Sequence, residues 1–311
     1  VGWFDGVQVP MGSVQDLAAL PEYRRAGYEY LLLHAAQQAM AGAQEIVSLV
    51  RTSRPEPLRA CGWMDVATQG YTRANVGDIL AHLSAQSARW PHRRSRVRIR
   101  PWRQVELDAV RDVYSSVAGR LWGAVHRTGP YWQWLAGRKA HVELLVAVEG
   151  RDDWEDLDAH SHIVGYAVTH GAEVIELCCL PEFTATAAPR LLARACQDAI
   201  EQDFRTVSLH TPVDDPLHEL VVTAGGTWCG NGVSTAEPLL VKLLDAPRWV
   251  EMMYPVFRRR AQAAGVDRPS EMGFDVGGRR LRLVLTRRSG RLEIDESGKP
   301  ADVTCDSDTL A

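Results

Sequence analysis

Arg24, Arg25 and Gly27 stand together in LAALPEYRRAGYEYLL, Leu17 to Leu32, between a short apolar run and a longer apolar-periodic one. A glycine-containing loop that opens a helix leaves backbone N–H groups unpaired at the positive end of the helix dipole, and both features favour phosphate. Adjacent arginines add charge-assisted hydrogen bonds and neutralise more than one anionic oxygen, which suits a diphosphate better than a carboxylate. RRxG alone is also the flank of an ordinary loop whose arginines pair with surface carboxylates. The strand before it and the helix after it raise the anion-site reading.

The same frame returns as LCCLPEFTATAAPRLL, Leu177 to Leu192. A shift of 160 residues places Leu17 on Leu177, Leu20 on Leu180, Pro21 on Pro181, Glu22 on Glu182, Leu31 on Leu191 and Leu32 on Leu192, and it carries Val47, Ser48 and Leu49 onto Val207, Ser208 and Leu209. Agreement in register over this span marks a duplicated α/β core. Arg24, Arg25 and Gly27 become Thr184, Ala185 and Ala187, so the cationic turn belongs to the first copy alone.

Several elements must position that turn. VGWFDGVQVPMGSVQDLAAL reads as a strand, a DG turn and a second strand. Leu31, Leu32, Ala35, Ala36, Ala39 and Met40 recur at helical spacing from Arg25 to Gly42, and EIVSLV follows as a buried strand. A short helix is expected over Arg54–Cys61 and a strand over Trp63–Thr72. The basic run RWPHRRSRVRIR, Arg89 to Arg100, reads as a linker followed by an edge strand, because Val97 and Ile99 alternate with arginines. A helix from Val105 to Ala118, the aromatic segment GPYWQWLAGR, a strand pair joined by an acidic loop, VIELCCL, a helix from Pro189 to Gln202, TVSLH, a short helix in DDPLHELVVTAGG and closing strands from Thr227 to Leu244 complete a second α/β unit. After Pro247 a helix and hairpin-like strands form a small α+β module.

Composition bounds the rest. A chain of 311 residues that is 46% hydrophobic and 24% charged forms cores rather than disorder. A formal net charge of -4 gives no global reason to expect nucleic-acid or anionic-membrane binding, so an anion site has to be local. No apolar run of about 18 residues is present, and the N-terminus lacks a secretion-signal pattern, which makes the cytoplasm the expected address. Cys61, Cys178, Cys179, Cys196, Cys229 and Cys305 show no CxxC spacing and are expected as buried free thiols rather than disulfides or a zinc site.

Arg24-Arg25-Ala26-Gly27-Tyr28-Glu29, between a strand and a helix, resembles the (Gln/Arg)-x-x-Gly-x-(Gly/Ala) turn of the GCN5-related N-acetyltransferases, with Glu29 where Gly or Ala is usual. LRACGW is similar to the turn before that family's sixth strand. The resemblance implies a tandem α/β (α+β) fold: two acetyltransferase-type mixed sheets with flanking helices. The arrangement is similar to the enhanced-intracellular-survival type, which adds a small C-terminal α+β sterol-carrier-like module. The expected domains are 1–88, a partial cofactor-binding copy, 89–96 a basic linker, 97–245 a second and degenerate copy, and 246–311 the module. Against the family plan the chain is expected to lack the first strand and helices of domain one and the end of the module. Residues 1–88 are then expected to be less stable than the second domain.

The resemblance further implies that acetyl-CoA is the co-substrate. Backbone groups around Leu17 to Ala19 would meet its acetyl carbonyl and pantetheine arm, and the amides of Arg24, Arg25, Ala26, Gly27 and Tyr28 its diphosphate. A primary amine of a small molecule or peptide would attack the thioester directly. The family's tyrosine acid falls at Leu58 and its fourth-strand glutamate at Ser13, which leaves Asp16 as the base to test, with Glu56 and Tyr71 as further neighbours. Glu173 takes the strand-four carboxylate position in the second copy. The alternative function is a non-catalytic CoA- or lipid-binding protein on the same fold. Nucleic-acid binding through Arg89–Arg100 is the least favoured reading; no membrane partner and no metal are expected, and a homo-oligomer is compatible with the chain. His160 and His162 are expected as strand-edge residues, Tyr131, Trp132 and Trp134 as core packing, and Arg258 to Arg260 as a solvated helix face.

Overall fold

The computed structural model describes all residues except 16, 19, 21–22, 24–26, 67–69, 90–96, 138–142, 151–161, 214, 231–237, 266–269, 277–278, 287–289, 296–297 and 306–311. Along the chain run β1 (Gly2–Phe4), β2 (Val7–Val9), β3 (Met11–Ser13), α1 (Tyr28–Gly42), β4 (Val47–Arg51), α2 (Glu56–Ala60), β5 (Met64–Asp65), β6 (Gly70–Asn75) and α3 (Val76–Arg89). Next come β7 (Val97–Pro101), α4 (Leu107–Ala118), β8 (Trp122–Val125), α5 (Gly129–Gly137), β9 (Glu143–Glu149), β10 (His162–His170), β11 (Glu173–Cys179), α6 (Thr184–Glu201), β12 (Thr206–Leu209) and α7 (Pro216–Thr223). The remainder is β13 (Thr227–Gly230), β14 (Leu239–Leu243), α8 (Ala246–Ala263), β15 (Ser270–Val276), β16 (Arg279–Leu285), β17 (Gly290–Ile294) and β18 (Val303–Cys305).

The chain packs as two units, one of Val1–Thr68, Gly119–His126 and Val233–Ala311, the other of Gln69–Ala118 and Arg127–Gly232. These units cut the chain differently from the boundaries drawn on the sequence: the stretch 1–88 gives β6 and α3 to unit 2, and the stretch 97–245 gives β8 and β14 to unit 1.

Among the described residues unit 1 holds three sheets. The first, ordered β2-β1-β8, contains the expected DG hairpin. Asp5 and Gly6 both take positive φ, 48° and 86°, the conformation a two-residue hairpin loop requires. The second sheet is β3-β4-β14-β5, with β3 parallel to β4 and β14 antiparallel to both its neighbours. The third, β17-β16-β15-β18, follows α8, which matches the helix-then-strands order expected after Pro247. Trp249, Val250, Met253 and Val256 of α8 share a core with Val47, Val241, Phe274 and Leu283. Asp245 caps that helix, accepting the Arg248 N–H at 3.1 Å.

Unit 2 is built on one seven-stranded mixed sheet, β13-β6-β12-β11-β10-β9-β7. β7 lies at its edge, as the alternation of Val97 and Ile99 with arginines implies. On α6, Ala187, Ala188, Leu191, Leu192, Ala195, Cys196 and Ala199 form one buried face whose small side chains let the helix pack closely on the sheet. α3 was not among the expected elements. Asn75 accepts the Gly77 N–H at 2.8 Å at its start, and Ile79, Leu80 and Leu83 pack against the core at helical spacing. The single strand expected over Trp63–Thr72 is two strands, β5 and β6, in different units.

The duplication is visible in both units. β3, α1 and β4 form a parallel strand pair joined through a helix, and so do β11, α6 and β12. Each pair parts after a short ladder. Among the described residues, β3 meets β4 from Met11↔Val47 to Ser13↔Leu49, and β11 meets β12 at Glu173↔Ser208 and Val174↔Leu209. In each unit the strand beyond the parted pair comes from the other half of the sequence: β14 lies between β4 and β5, and β6 lies between β12 and β13.

Candidate functional site

Gly27 begins α1 with φ 78° and ψ 8°, a left-handed conformation in which glycine avoids a steric cost. The N–H groups of Tyr30 and Leu31 donate to its carbonyl at 3.1 and 3.3 Å, so the helix is hydrogen-bonded from this residue onward. The amides just ahead of them, at Tyr28 and Glu29, lie where a helix supplies no internal acceptor. Among the described residues, a Cβ placed on Gly27 would meet nothing within 4 Å. Leu17 sends its side chain against the cluster of Leu33, Met40, Val50, Leu58, Trp63 and Leu240, which leaves its main chain as the group able to meet a ligand. Tyr28 is half exposed and meets Tyr23 edge-on at 5.6 Å. Asp16, Ala19, Arg24, Arg25 and Ala26 lie outside the described residues.

Glu29, the departure from the family turn, is buried with a side chain 7% exposed. Arg54 holds it through two hydrogen bonds, Nη1 to Oε1 at 2.7 Å and Nη2 to Oε2 at 3.3 Å. The carboxylate therefore reaches the site already paired.

The remaining proton-transfer candidates separate. Leu58 is 1% exposed in the core beside Trp63, so no hydroxyl stands where the family tyrosine is expected. Ser13 and Glu56 are exposed in unit 1. Tyr71 is not their neighbour within that unit: it lies on β6 of unit 2, with its ring 5.5 Å from His210 and the Arg73 guanidinium 5.1 Å from its centre.

In the second copy the turn has no counterpart. Thr184 to Ala187 are already helical, with Thr184 and Thr186 donating their hydroxyls to the carbonyls of Leu180 and Phe183 at 3.3 and 3.1 Å. Glu173 is exposed at the start of β11. Sequence reasoning passed over Glu176, which stands 160 residues beyond Asp16. Its carboxylate accepts two hydrogen bonds from Arg127, at 2.9 and 2.5 Å, and a third from the Tyr166 hydroxyl. The Arg127 guanidinium also faces the rings of Tyr114 at 4.0 Å and Trp132 at 5.1 Å. Burial opposes the charge on Arg127, but Glu176 outweighs it and holds the proton more tightly than in an ordinary arginine. Burial pushes the Tyr114 hydroxyl up to about 12.

Other features divide similarly. His162 Nδ1 lies 3.0 Å from Glu149 Oε2, as a strand-edge histidine does, while His160 is outside the described residues. Trp132 packs in the core, whereas Tyr131 and Trp134 are exposed and stack on each other at 5.4 Å, contrary to the core role expected for all three. Arg259 and Arg260 are exposed, as expected for a solvated helix face, while Arg259 also binds the main chain and carboxylate of Asp5 and Arg260 lies over Trp122 at 5.1 Å. Cys178, Cys179 and Cys196 are buried free thiols, each pushed up to about 12 by burial, and Cys61 and Cys229 are free and half-buried. No helix among the described residues is long and apolar enough to cross a membrane.

No family model and no curated protein sequence matches the chain. Solved structures do match it in fold. A GCN5-related N-acetyltransferase from Anabaena variabilis ATCC 29413 shares 14% identity with a TM-score of 0.68, over 99% of this chain and 73% of that one. A GCN5-related N-acetyltransferase from Kribbella flavida shares 18% identity with a TM-score of 0.64, over 99% and 70% of the two chains. Eis1 from Mycobacterium abscessus shares 17% identity with a TM-score of 0.59, over 99% and 72%. The parted parallel pairs, the glycine-initiated helix and these likenesses together give the chain the fold of the GCN5-related N-acetyltransferases.

Proposed function

We propose that the protein is an acetyl-CoA-dependent N-acetyltransferase that moves the acetyl group to a primary amine of a small molecule or peptide. The observation that carries this reading is the first copy's turn: α1 opens on a left-handed Gly27 that no described residue crowds, just past a parallel pair whose ladder ends at Ser13. In this reading the amides of Arg24 to Tyr28, with both arginine side chains, hold the diphosphate. The main chain at Leu17 and Ala19 orients the pantetheine arm and polarises the thioester carbonyl. The amine nitrogen attacks that carbonyl, the C–N bond forms and the C–S bond breaks. The surplus amine proton passes to a base, for which Asp16 is the candidate, and the leaving thiolate takes up a proton. Cytoplasmic location, a sterol-carrier-like role for the stretch 246–311 and a scaffolding role for the second copy complete the reading.

Calorimetric titration with acetyl-CoA tests it: saturable binding that is lost in the Arg24→Ala/Arg25→Ala protein is expected, and binding indifferent to that change would sink the assignment. The burial of Leu58 where a proton donor is expected favours a second reading, a protein that binds CoA or a lipid without turnover. Thiol release from acetyl-CoA across a panel of amines separates the two.

A further inference from the structure

We propose that Arg54 is a positioning residue of the donor site, whose work is to cancel the buried Glu29 carboxylate so that the first turn of α1 can accept a diphosphate. This rests on the donor reading given above. Glu29 is the second residue of α1, and its own amide is among those available to a phosphate. Helical side chains lean back toward the N-terminus, which brings the carboxylate to the end of the helix where the phosphates would lie. An unpaired carboxylate there would be costly both to bury and to set against a second anion.

Arg54 answers both demands from a different element. It sits in the connection between β4 and α2, where its N–H is held by Thr52 Oγ1 at 3.0 Å, and it grips both carboxylate oxygens of Glu29. Its side chain is 51% exposed while Nη1 and Nη2 are both committed to Glu29. The pair also ties the chain just past the parted strand β4 to the start of α1. The second copy has neither charge in place: 160 residues further on stand Pro189 and Asp214. The device belongs to the copy that has the glycine.

Titration of the full chain with CoA, which needs no turnover, tests this through four proteins. Arg54→Met leaves Glu29 uncompensated and is expected to weaken CoA binding about tenfold or more. Glu29→Gln leaves Arg54 with an uncommitted charge and is expected to tighten binding about two- to threefold. The double variant is expected within about threefold of the unaltered protein, because the net charge at the helix end is restored. If Arg54→Met fails to fold, the signs for Glu29→Gln and the double variant still decide. Equal weakness of Arg54→Met and the double variant would overturn the proposal, and so would a Glu29→Gln protein that binds more weakly. Absence of CoA binding by the unaltered protein would overturn the donor reading itself, and this inference with it.

Discussion

Replacing Arg127 by methionine should destabilise unit 2 far more than the loss of one surface charge would. The guanidinium makes two hydrogen bonds to Glu176 and faces two aromatic rings, and both charged side chains are only 21% exposed. Removing one partner of a buried pair costs about 3–5 kcal/mol, because the other charge is stranded. Residual solvent contact moves this pair toward the lower end, and the lost ring contacts restore about 1 kcal/mol, so the expected loss is about 3 kcal/mol. Glu176→Gln keeps an acceptor for Tyr166 and Arg127 and should cost about 1–2 kcal/mol. The double variant leaves no stranded charge, so its cost should fall short of the sum by about 2 kcal/mol. Urea unfolding of the four proteins, followed by tryptophan fluorescence, measures all these quantities. A coupling below about 0.5 kcal/mol would show that the two side chains act independently and that the cluster does not work as a unit.

Acid unfolding offers a second test. Burial alone would raise the Glu106 carboxyl, but Arg100 and the Arg103 N–H overcome it and hold the group below its ordinary value. A depressed folded value contributes stability above the unfolded value of about 4.3 and loses it as pH falls through the lower folded value. Glu106→Gln should therefore lower the urea midpoint at neutral pH and flatten its decline in acid; parallel curves for the two proteins would refute this. Thiol chemistry gives a third. Cys178, Cys179 and Cys196 are buried and pushed up to about 12, so native protein treated with iodoacetamide at about pH 8 should carry no label there until it is unfolded. Native labelling of any of the three, read by peptide mass, would contradict their placement.

Much of the architecture was legible because local chemistry and register agree. The Asp5-Gly6 turn and the 160-residue repeat each give a signal that tertiary packing leaves unchanged, whereas α1 forms as a helix but buries Leu33 and Met40 and exposes Leu31, Leu32, Ala35 and Ala39 of the expected face. The helix α3 was hidden by its position directly after β6, with no loop between them. Its cue was Asn75 followed by Ile79, Leu80 and Leu83, and that cue is weaker than the strand pattern before it. At the turn, the opening of α1 on Gly27 was legible from the spacing. The Glu29–Arg54 pair was not, since two residues 25 apart in sequence are joined only once β4 returns beside β3. The Arg127–Glu176 pair was hidden for the same reason, with 49 residues between the partners. Glu176 alone could have been singled out, as the acidic residue in register with Asp16.

The exchanged closing strands have a consequence for how the chain is made. During synthesis β4 emerges early, yet the neighbour that completes its ladder, β14, carries Val241 opposite Leu49. Nearly the whole of unit 2 must leave the ribosome before that edge is covered. β6 waits likewise, since Thr72 pairs with Leu209 and Trp228. Such distant pairings slow folding and prolong the exposure of strand edges that can capture other chains. Neither half of the sequence carries all the strands of the sheet it begins, so the two copies depend on each other to mature, and a nascent chain released early would retain an open edge in its first unit.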